Sequence, residues 1–224
     1  MPNALITGAS EGFGRALACE LGANGWRLIL TARRPGPLHA VTTDLPGAVA
    51  MPGDVSDPAH RADLAAAVSE LGELDLLVNN ASTLGPSPLP ALGRYSIDAL
   101  RQVYETNVLA PLALTQAVLP ALDAAGGVVV TLSSDAAVEA YPGWGGYGSS
   151  KAALDQLSAV LAAEQPRVHV YAFDPGDMRT AMHQLAFPGE DISDRPEPQT
   201  AVPALLRLIA SRPPSGRYQA SDLT

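Results

Sequence analysis

The sequence has little that would support a disulfide framework, a metal centre or binding to a polyanion. Cys19 is the only cysteine in 224 residues, which excludes an internal disulfide and favours a reducing compartment. It falls in an apolar helical stripe, so we expect it to be buried. The four histidines lack metal-ligand spacing, and no metal is expected. The formal net charge of −9 argues against nucleic acid and anionic membrane surfaces as partners.

The sequence also lacks the signals of export or membrane insertion. No basic segment followed by an apolar one opens the chain, and no apolar run looks long enough to cross a bilayer. We therefore expect a cytoplasmic protein. Hydrophobic residues make up 47% of the chain, enough for a sizeable core, and no repeat or linker divides it. Residues 1–224 are predicted to form one α/β domain.

Strands and helices are predicted to alternate along the chain. Apolar runs ending at turn signals predict strands at 3–7, 26–31, 48–51, 74–79, 127–132, 168–173 and 217–220. Helical spacing predicts helices at 13–21, 58–71, 96–125, 148–165 and 199–211, the third disturbed at Pro111 and Pro120. Several strands are apolar on both faces. This pattern is typical of a doubly wound parallel sheet, the Rossmann fold.

A glycine cluster lies between the first strand and the first helix. Gly8, Gly12 and Gly14 allow a tight turn and a close approach of the backbone to a ligand. The helix start beyond them offers unpaired N–H groups and the positive end of a dipole, which together suit a pyrophosphate. This position between strand and helix is the one that a dinucleotide fingerprint requires. The alternative is a purely structural turn.

The end of the second strand carries arginine where a dinucleotide fold selects its ribose. An acid there would bind a 2′-hydroxyl, whereas an arginine accommodates a 2′-phosphate. The chain has Arg33 and Arg34 and no acid at this point. The sequence therefore predicts NADP(H), with NAD(H) still possible. The alternative is a pair of solvated arginines on a loop.

Tyr147 and Lys151 are four residues apart on a predicted helix, so both side chains leave from one face. An ammonium beside a phenol favours the phenolate, and we expect Lys151 to lower the pKa of Tyr147. Such a tyrosine could donate and accept a proton near neutral pH. The alternative is that Tyr147 only begins the helix and that Lys151 is solvated.

Four motifs occur in order along the chain, from the glycine cluster to the segment that begins at Pro175. They are Thr7-Gly8 to Gly14, Asn79-Asn80-Ala81, Ser134 with Tyr147-x-x-x-Lys151, and Pro175-Gly176 followed by Thr180. Together they resemble the short-chain dehydrogenase/reductase family over nearly the whole chain. The motifs are specific for the family and not for any substrate.

The resemblance implies a catalytic role for four residues. Tyr147 would be the general acid for carbonyl reduction or the base for alcohol oxidation, and Lys151 would bind the nicotinamide ribose. Ser134 would orient the carbonyl oxygen. Asn107 would lie at a bend of the long helix and hold a water in a proton relay behind Lys151.

The resemblance also implies a set of cofactor-binding residues. Asp54 would bind the adenine amino group, and Asn80 with Ala81 would line the adenosine side. Pro175, Gly176 and Thr180 would contact the carboxamide end. The full predicted set is Gly8, Ser10, Glu11, Gly12, Phe13, Gly14, Arg33, Asp54, Val55, Asn80, Ala81, Tyr147, Lys151, Pro175, Gly176 and Thr180. Where the family usually has glycine after Asn-Asn-Ala, this chain has Ser82.

The partners expected are a small, fairly apolar carbonyl or alcohol substrate and further copies of this chain in a homodimer or homotetramer. Tyr141, Trp144, Met182, Leu185 and Phe187 are candidates for an apolar substrate lining, and His183 is expected at the surface. Two other hypotheses are a cofactor-binding sensor without turnover and a lyase or isomerase on the same scaffold. The complete set of Ser134, Tyr147 and Lys151 favours an oxidoreductase.

Overall fold

A seven-stranded sheet forms the centre of the computed structural model, which describes residues 1–223. The strands are β1 Asn3–Thr7, β2 Arg27–Ala32, β3 Ala48–Pro52, β4 Leu76–Asn79, β5 Val128–Leu132, β6 His169–Asp174 and β7 Gly216–Gln219. Their order is β3-β2-β1-β4-β5-β6-β7, and every neighbouring pair is parallel. The predicted parallel sheet is therefore confirmed.

Helices cover both faces of this sheet. They are α1 Gly12–Ala23, α2 Pro35–Thr42, α3 Pro58–Leu71, α4 Ile97–Tyr104, α5 Ala110–Ala125, α6 Gly145–Glu164, α7 Ala181–Ala186 and α8 Val202–Ser211. Successive strand residues point to opposite faces. Ile6 therefore belongs to the buried cluster that includes α1 and α8, whereas Leu5 belongs to the cluster that includes α3 and α5. A parallel sheet with a buried cluster on each face is the predicted Rossmann fold.

Two short helices were not expected from the sequence. Residues 35–37 read Pro-Gly-Pro, which suggests a loop, yet Pro35 lies in the first turn of α2, where a missing N–H costs nothing. Helix α7 has only six residues and no apolar periodicity that would reveal it. Thr180 caps it by accepting a hydrogen bond from the His183 N–H at 3.1 Å.

The long helix predicted over 96–125 is interrupted just before the first of its two prolines. A π-helical segment, Glu105–Leu109, separates α4 from α5. Pro111 lies in the first turn of α5, and Pro120 stays inside it. The interruption includes Asn107, whose carbonyl a proline at position 111 leaves without its helical N–H donor, whereas the disturbance expected at Pro120 is wrong. Asn107 lies in the π-helical segment, and its side chain is bonded to neighbouring elements.

The combined helical segment Ile97–Ala125 corrects another expectation. It has 29 residues, and an 18-residue window within it has a mean hydropathy of 1.5, so it is long and apolar enough to cross a membrane by length and composition. Much of this hydropathy is accounted for by packing, because Leu114, Val118 and Leu122 are buried in the cluster under the sheet.

The topology places a crevice at the carboxyl ends of the strands. The order of strands reverses between β1 and β4, and ligands of open α/β sheets bind outside such a switch point. Cys19 lies away from it on the outer face of α1 and is exposed, so its expected burial is wrong. The apolar stripe of α1 is carried instead by Leu17, Ala18 and Leu21.

Candidate active site

A cleft of about 510 Å³ opens at the carboxyl ends of the strands. Its volume is within the range of small-molecule and cofactor sites. Most of the predicted site residues line it. These are Gly8, Ser10, Glu11, Gly12, Phe13, Arg33, Asp54, Val55, Asn80, Ala81, Tyr147, Lys151, Pro175 and Thr180. Ser134 and Gly176 line an adjoining pocket, whereas Gly14 and Asn107 are buried behind these walls.

The glycine turn at one end of the cleft requires glycine at several positions. Gly8 and Gly12 have φ angles of 65° and 56°, a region that L side chains rarely adopt. A Cβ on Gly14 would lie 2.5 Å from both Asn80 Nδ2 and the Gly8 carbonyl oxygen. Glu11 precedes α1 without capping it through its side chain, so the first N–H groups of the helix remain available. This end fits a pyrophosphate.

Asn80 holds the glycine turn from the neighbouring strand. Its Nδ2 donates to the carbonyl oxygens of Thr7 at 2.8 Å and Gly8 at 3.1 Å. In return, the Thr7 hydroxyl accepts hydrogen bonds from the N–H groups of Asn80 and Ala81, both at 3.0 Å. The amide of Asn80 is thus committed to the turn, and its contact with an adenosine stays a prediction.

Two arginines and one acid lie at the mouth of the cleft. Arg34 Nη2 is 2.6 Å from Glu11 Oε2, and both side chains are exposed. Arg33 lines the same cleft and makes no ion pair with any residue in the described range 1–223. The guanidinium of Arg33 is therefore free to bind a phosphate, whereas Arg34 already has an acidic partner.

Tyr147 and Lys151 project from the same face of α6, as predicted. The helix begins at Gly145, slightly earlier than expected, so both residues are within it. Lys151 Nζ lies 5.5 Å from the centroid of the Tyr147 ring and donates to the Leu132 carbonyl oxygen at 2.7 Å. Lys151 is buried, and both side chains line the cleft.

The pKa of Tyr147 is raised in this structure, and not lowered as expected from the neighbouring Lys151 alone. Burial raises the pKa of Tyr147 above its usual range, and the charge of Asp174 raises it further, while a hydrogen bond with Ser134 lowers it. Burial also lowers the pKa of Lys151 to about 8, against the opposing effects of Asp155 and Asp174. Tyr147 is therefore a protonated hydroxyl at neutral pH, which suits a proton donor.

Of two adjacent serines, only Ser134 can serve a substrate. Ser133 is buried, and its hydroxyl donates to Asp155 Oδ2 at 2.7 Å. Ser134 is half-buried beside Tyr147, and its hydroxyl donates to Asp135 Oδ1 at 2.9 Å. The predicted choice of Ser134 is consistent with this geometry.

Asn107 is completely buried, and its side chain connects three segments. Its Oδ1 accepts from the Thr83 N–H at 2.8 Å and the Ser82 hydroxyl at 3.1 Å. Its Nδ2 donates to Thr83 O and to Ser150 Oγ, both at 2.9 Å, and that hydroxyl donates to Tyr147 O at 2.6 Å. Ser82 thus adds a hydrogen bond that glycine would lack. The side-chain amide is fully used, and the water relay stays a prediction.

A pocket of about 110 Å³ adjoins the cleft next to Tyr147. Trp144 and Met182 of the predicted lining form an apolar part of its wall. Tyr141 and Leu185, which were also predicted to line it, are exposed. His183, expected at the surface, lines this pocket, and its side chain is only 10% exposed. Within residues 1–223, no group of three or more His, Cys, Asp or Glu side chains is placed to hold a metal.

An ionic network behind the site was missed by the sequence analysis. Arg217 Nε lies 3.2 Å from Asp155 Oδ2, and its Nη2 lies 2.9 Å from Asp174 Oδ2. The same Nη2 donates to the Ser134 carbonyl oxygen at 3.0 Å. The three acceptors come from distant parts of the chain, so no local spacing could have revealed the network.

Comparisons with known proteins agree with this geometry. A family model described as short chain dehydrogenase matches residues 2–191. The sepiapterin reductase of Meriones unguiculatus is 37% identical over 199 residues, covering 81% of this chain and 76% of the relative. The serine 3-dehydrogenase of Agrobacterium fabrum is 36% identical over 181 residues, covering 79% of this chain and 72% of the relative.

Solved structures show the same likeness. A short chain dehydrogenase from Shigella flexneri 2a, complexed with NADP, superposes with a TM-score of 0.92 at 30% identity. That match covers 98% of this chain and 97% of the other. A short chain dehydrogenase from Pseudomonas syringae gives a TM-score of 0.91 at 30% identity, covering 97% of this chain and 93% of the other.

Proposed function

This chain belongs to the short chain dehydrogenase family, and we propose that it is an NADP(H)-dependent oxidoreductase that interconverts a carbonyl and a secondary alcohol with Tyr147 as general acid and base. One observation carries the proposal. A single cleft joins the glycine turn at one end to Tyr147 and Lys151 at the other. Nucleotide binding and proton transfer would then occur in one continuous space.

The residues of the cleft fit the dinucleotide and divide its parts among them. The glycine turn and the start of α1 would hold the pyrophosphate, and Arg33 would bind the 2′-phosphate. Asp54 and Val55 would contact the adenine. Pro175 and Thr180, with Gly176 beside them, would contact the carboxamide end. When bound, the cofactor supplies the hydride.

Tyr147, Ser134 and Lys151 would supply the rest of the chemistry. As the carbonyl carbon is reduced, negative charge develops on its oxygen. The hydroxyls of Ser134 and Tyr147 stabilise that charge, and Tyr147 transfers its proton to the oxygen. Lys151, anchored to Leu132 O at 2.7 Å, orients the ribose and stabilises the tyrosinate that remains. Asn107 acts through Ser150 to hold the main chain of Tyr147 in place.

The substrate would be a small molecule with an apolar body. The pocket beside Tyr147 measures about 110 Å³ and has Trp144 and Met182 in its wall. Asp135, Asp174 and Asp177 are its acidic members, and among residues 1–223 no lysine or arginine lines it. We therefore propose a neutral or cationic carbonyl compound rather than an anionic one.

Loss of the NADPH absorbance band in the presence of a carbonyl panel would test the proposed function. The panel contains neutral, cationic and anionic ketones of similar size, and we expect turnover with the first two. Product mass spectrometry with each compound separates the alternatives. A sensor would bind NADPH and convert nothing, and a lyase or isomerase would convert substrate without net loss of NADPH. Either result would contradict the proposal.

Arg33→Ala should weaken NADPH binding far more than NADH binding. The variant removes a charge-assisted contact to the 2′-phosphate, which only NADPH carries. We expect the Kd for NADPH to rise by roughly 10- to 100-fold, with little change for NADH. Fluorescence titration with both nucleotides measures this. An equal loss for the two nucleotides would remove Arg33 from the 2′-phosphate site.

Glu11→Gln is the matched variant with the opposite expected sign. Glu11 pairs with Arg34 at 2.6 Å at the same mouth, so its carboxylate competes with a phosphate for this guanidinium. Both side chains are well exposed, and the effect should be small. NADPH should bind about two- to fivefold more tightly to the variant. Weaker NADPH binding would show that Glu11 supports the site instead.

We also propose that the protein assembles as a homodimer or homotetramer through its long helices. Leu109 and Val160, on the π-helical segment and α6, are 50% and 43% exposed. Burial of these apolar side chains against a second copy would stabilise such an assembly. Sedimentation analysis would test this assembly.

A further inference from the structure

The cation of the network behind the site comes from the edge strand of the sheet. Arg217 pairs in register with Ala172 of β6, and its side chain reaches toward α6 and the end of β5. There it contacts Asp155, Asp174 and the main chain of Ser134. One guanidinium therefore joins three elements that each contribute to the surroundings of Tyr147.

We propose that Arg217 is a positioning residue for the reaction: it holds the main chain at Ser134 and neutralises the two carboxylates that face Tyr147 and Lys151. The inference rests on the proposed function, because the reaction it serves is the proton transfer by Tyr147. Arg217 does not line the cleft or the adjoining pocket. It acts through its neighbours and does not touch the substrate.

The position of the network favours this role over simple stabilisation. The side chains of Asp155 and Asp174 are 15% and 7% exposed, and that of Arg217 is 25% exposed. Burying such a cluster costs desolvation energy that the ion pairs only partly return, so a buried pair is weak evidence for stability. Asp155 Oδ1 is buried without a partner in the described residues. The charges of this cluster therefore act on the neighbouring Tyr147 and Lys151.

The same network constrains both serines at the end of β5. Arg217 Nη2 donates to the Ser134 carbonyl oxygen at 3.0 Å. The Ser133 hydroxyl donates at 2.7 Å to Asp155 Oδ2, the oxygen that also contacts Arg217 Nε. Removing the guanidinium would release the backbone that presents the Ser134 hydroxyl to a substrate oxygen. Effective catalysis depends on such groups being held in place.

The charges that face the site explain why a cation is needed here. Carboxylates reach Tyr147 from three directions: Asp174 from β6, Asp135 from the turn after β5, and Asp155 from α6, and each raises its pKa. Asp155 and Asp174 also raise the pKa of Lys151 against the effect of burial. Arg217 contacts the two carboxylates that act on both groups. Without it, Tyr147 would become a weaker proton donor.

NMR titration of Lys151 in Arg217→Met tests whether Arg217 neutralises the two carboxylates, and it requires no turnover. The wild-type pKa of Lys151 is about 8. In Arg217→Met the uncompensated Asp155 and Asp174 should move the midpoint of the Lys151 ¹³Cε signal to higher pH. In the double variant Arg217→Met, Asp155→Asn the midpoint should return toward the wild-type value. Arg167→Met, which removes an exposed arginine paired with Asp123, should leave it unchanged.

Kinetics of the same variants test the positioning half. For Arg217→Met, kcat for carbonyl reduction should fall by about 10- to 100-fold with the Kd for NADPH nearly unchanged. The pH profile of alcohol oxidation should shift to higher pH. Arg217→Lys keeps the charge, yet a single ammonium cannot reproduce the guanidinium fork. It should therefore keep a near-normal Lys151 midpoint and still lose kcat.

The outcomes are separable from those of the proposed function. An unchanged Lys151 midpoint in Arg217→Met, or a kcat equal to wild type in both Arg217 variants, would overturn the inference. If Arg217→Met does not fold, Arg217→Lys and Asp155→Asn test the inference instead. Asp155→Asn should lower the midpoint of the Lys151 titration, and an unchanged midpoint in this variant would also overturn the inference. Failure of every carbonyl with the wild-type enzyme would defeat the proposed function, while the NMR titration would still report the coupling.

Discussion

Tyr147→Phe is expected to lower kcat for carbonyl reduction by about 10²- to 10⁴-fold, the usual contribution of a positioned general acid. Only the hydroxyl is lost, so the ring keeps its contact with Trp144, whose centroid is 5.7 Å away. The Kd for NADPH should therefore stay within about twofold of wild type. Stopped-flow or steady-state assays, together with NADPH fluorescence titration, measure the two quantities.

Tyr104→Phe is the matched control for this experiment. Tyr104 ends α4, does not line the cleft, and its hydroxyl makes no hydrogen bond within residues 1–223. Removing that hydroxyl should leave kcat unchanged. Substantial residual turnover in Tyr147→Phe would exclude Tyr147 as the proton donor, whereas an equal loss in both variants would indicate a general effect on folding.

Gly14→Ala should lower kcat/KM for NADPH by on the order of 100-fold, the cost of displacing a binding element by about 1 Å. The new Cβ would lie 2.5 Å from Asn80 Nδ2 and from the Gly8 carbonyl oxygen. The glycine turn, Asn80 or both must then move, and the pyrophosphate site moves with them. NADPH titration measures the loss, and thermal unfolding shows whether the fold is kept.

Gly36→Ala controls for the loss of a glycine as such. Gly36 lies in α2, and a Cβ there would meet no atom within 4 Å. Alanine also favours a helix over glycine by roughly 1 kcal/mol. This variant should bind NADPH normally and unfold at the same or a slightly higher temperature. Normal NADPH binding by Gly14→Ala would show that the turn has more room than the structure indicates.

The parts of the site that were predictable depend on local chain geometry. The glycine turn is recognisable because Gly8, Gly12 and Gly14 occupy a fixed position between a strand and a helix. Tyr147 and Lys151 meet because residues four apart share a helix face. Each of these relations spans fewer than ten residues, so the sequence determines it before any tertiary contact forms.

The parts that were missed depend on contacts between distant segments. Arg217 is 62 positions from Asp155 and 43 from Asp174, and no pattern in any one segment indicates that they meet. The pKa of Tyr147 was misjudged for the same reason. Its direction is set by burial and by Asp174 at the end of another strand, and not by the nearby Lys151 alone.

Errors of exposure arose where a residue had two plausible surroundings. Cys19 was assigned to the apolar stripe of α1, yet Leu17, Ala18 and Leu21 occupy the buried face and leave it outside. His183 was assigned to the surface, but it lines the pocket from α7, and its side chain is only 10% exposed. Periodicity identifies the apolar face of a long helix more reliably than the surroundings of a residue at its margin or on a six-residue helix.

At the π-helical segment Glu105–Leu109, the loss of a single residue would change the local structure of the chain. Deleting a single residue there would allow one regular helix from Ile97 to Ala125. It would also remove the wider turn that directs the side chain of Asn107, because a π-helical turn accommodates one residue more than an α-helical turn. Asn107 would then point away from Ser150. A shorter, regular helix would thus lose the hydrogen bonds by which Asn107 connects Thr83 and Ser150. The extra residue therefore has a structural role.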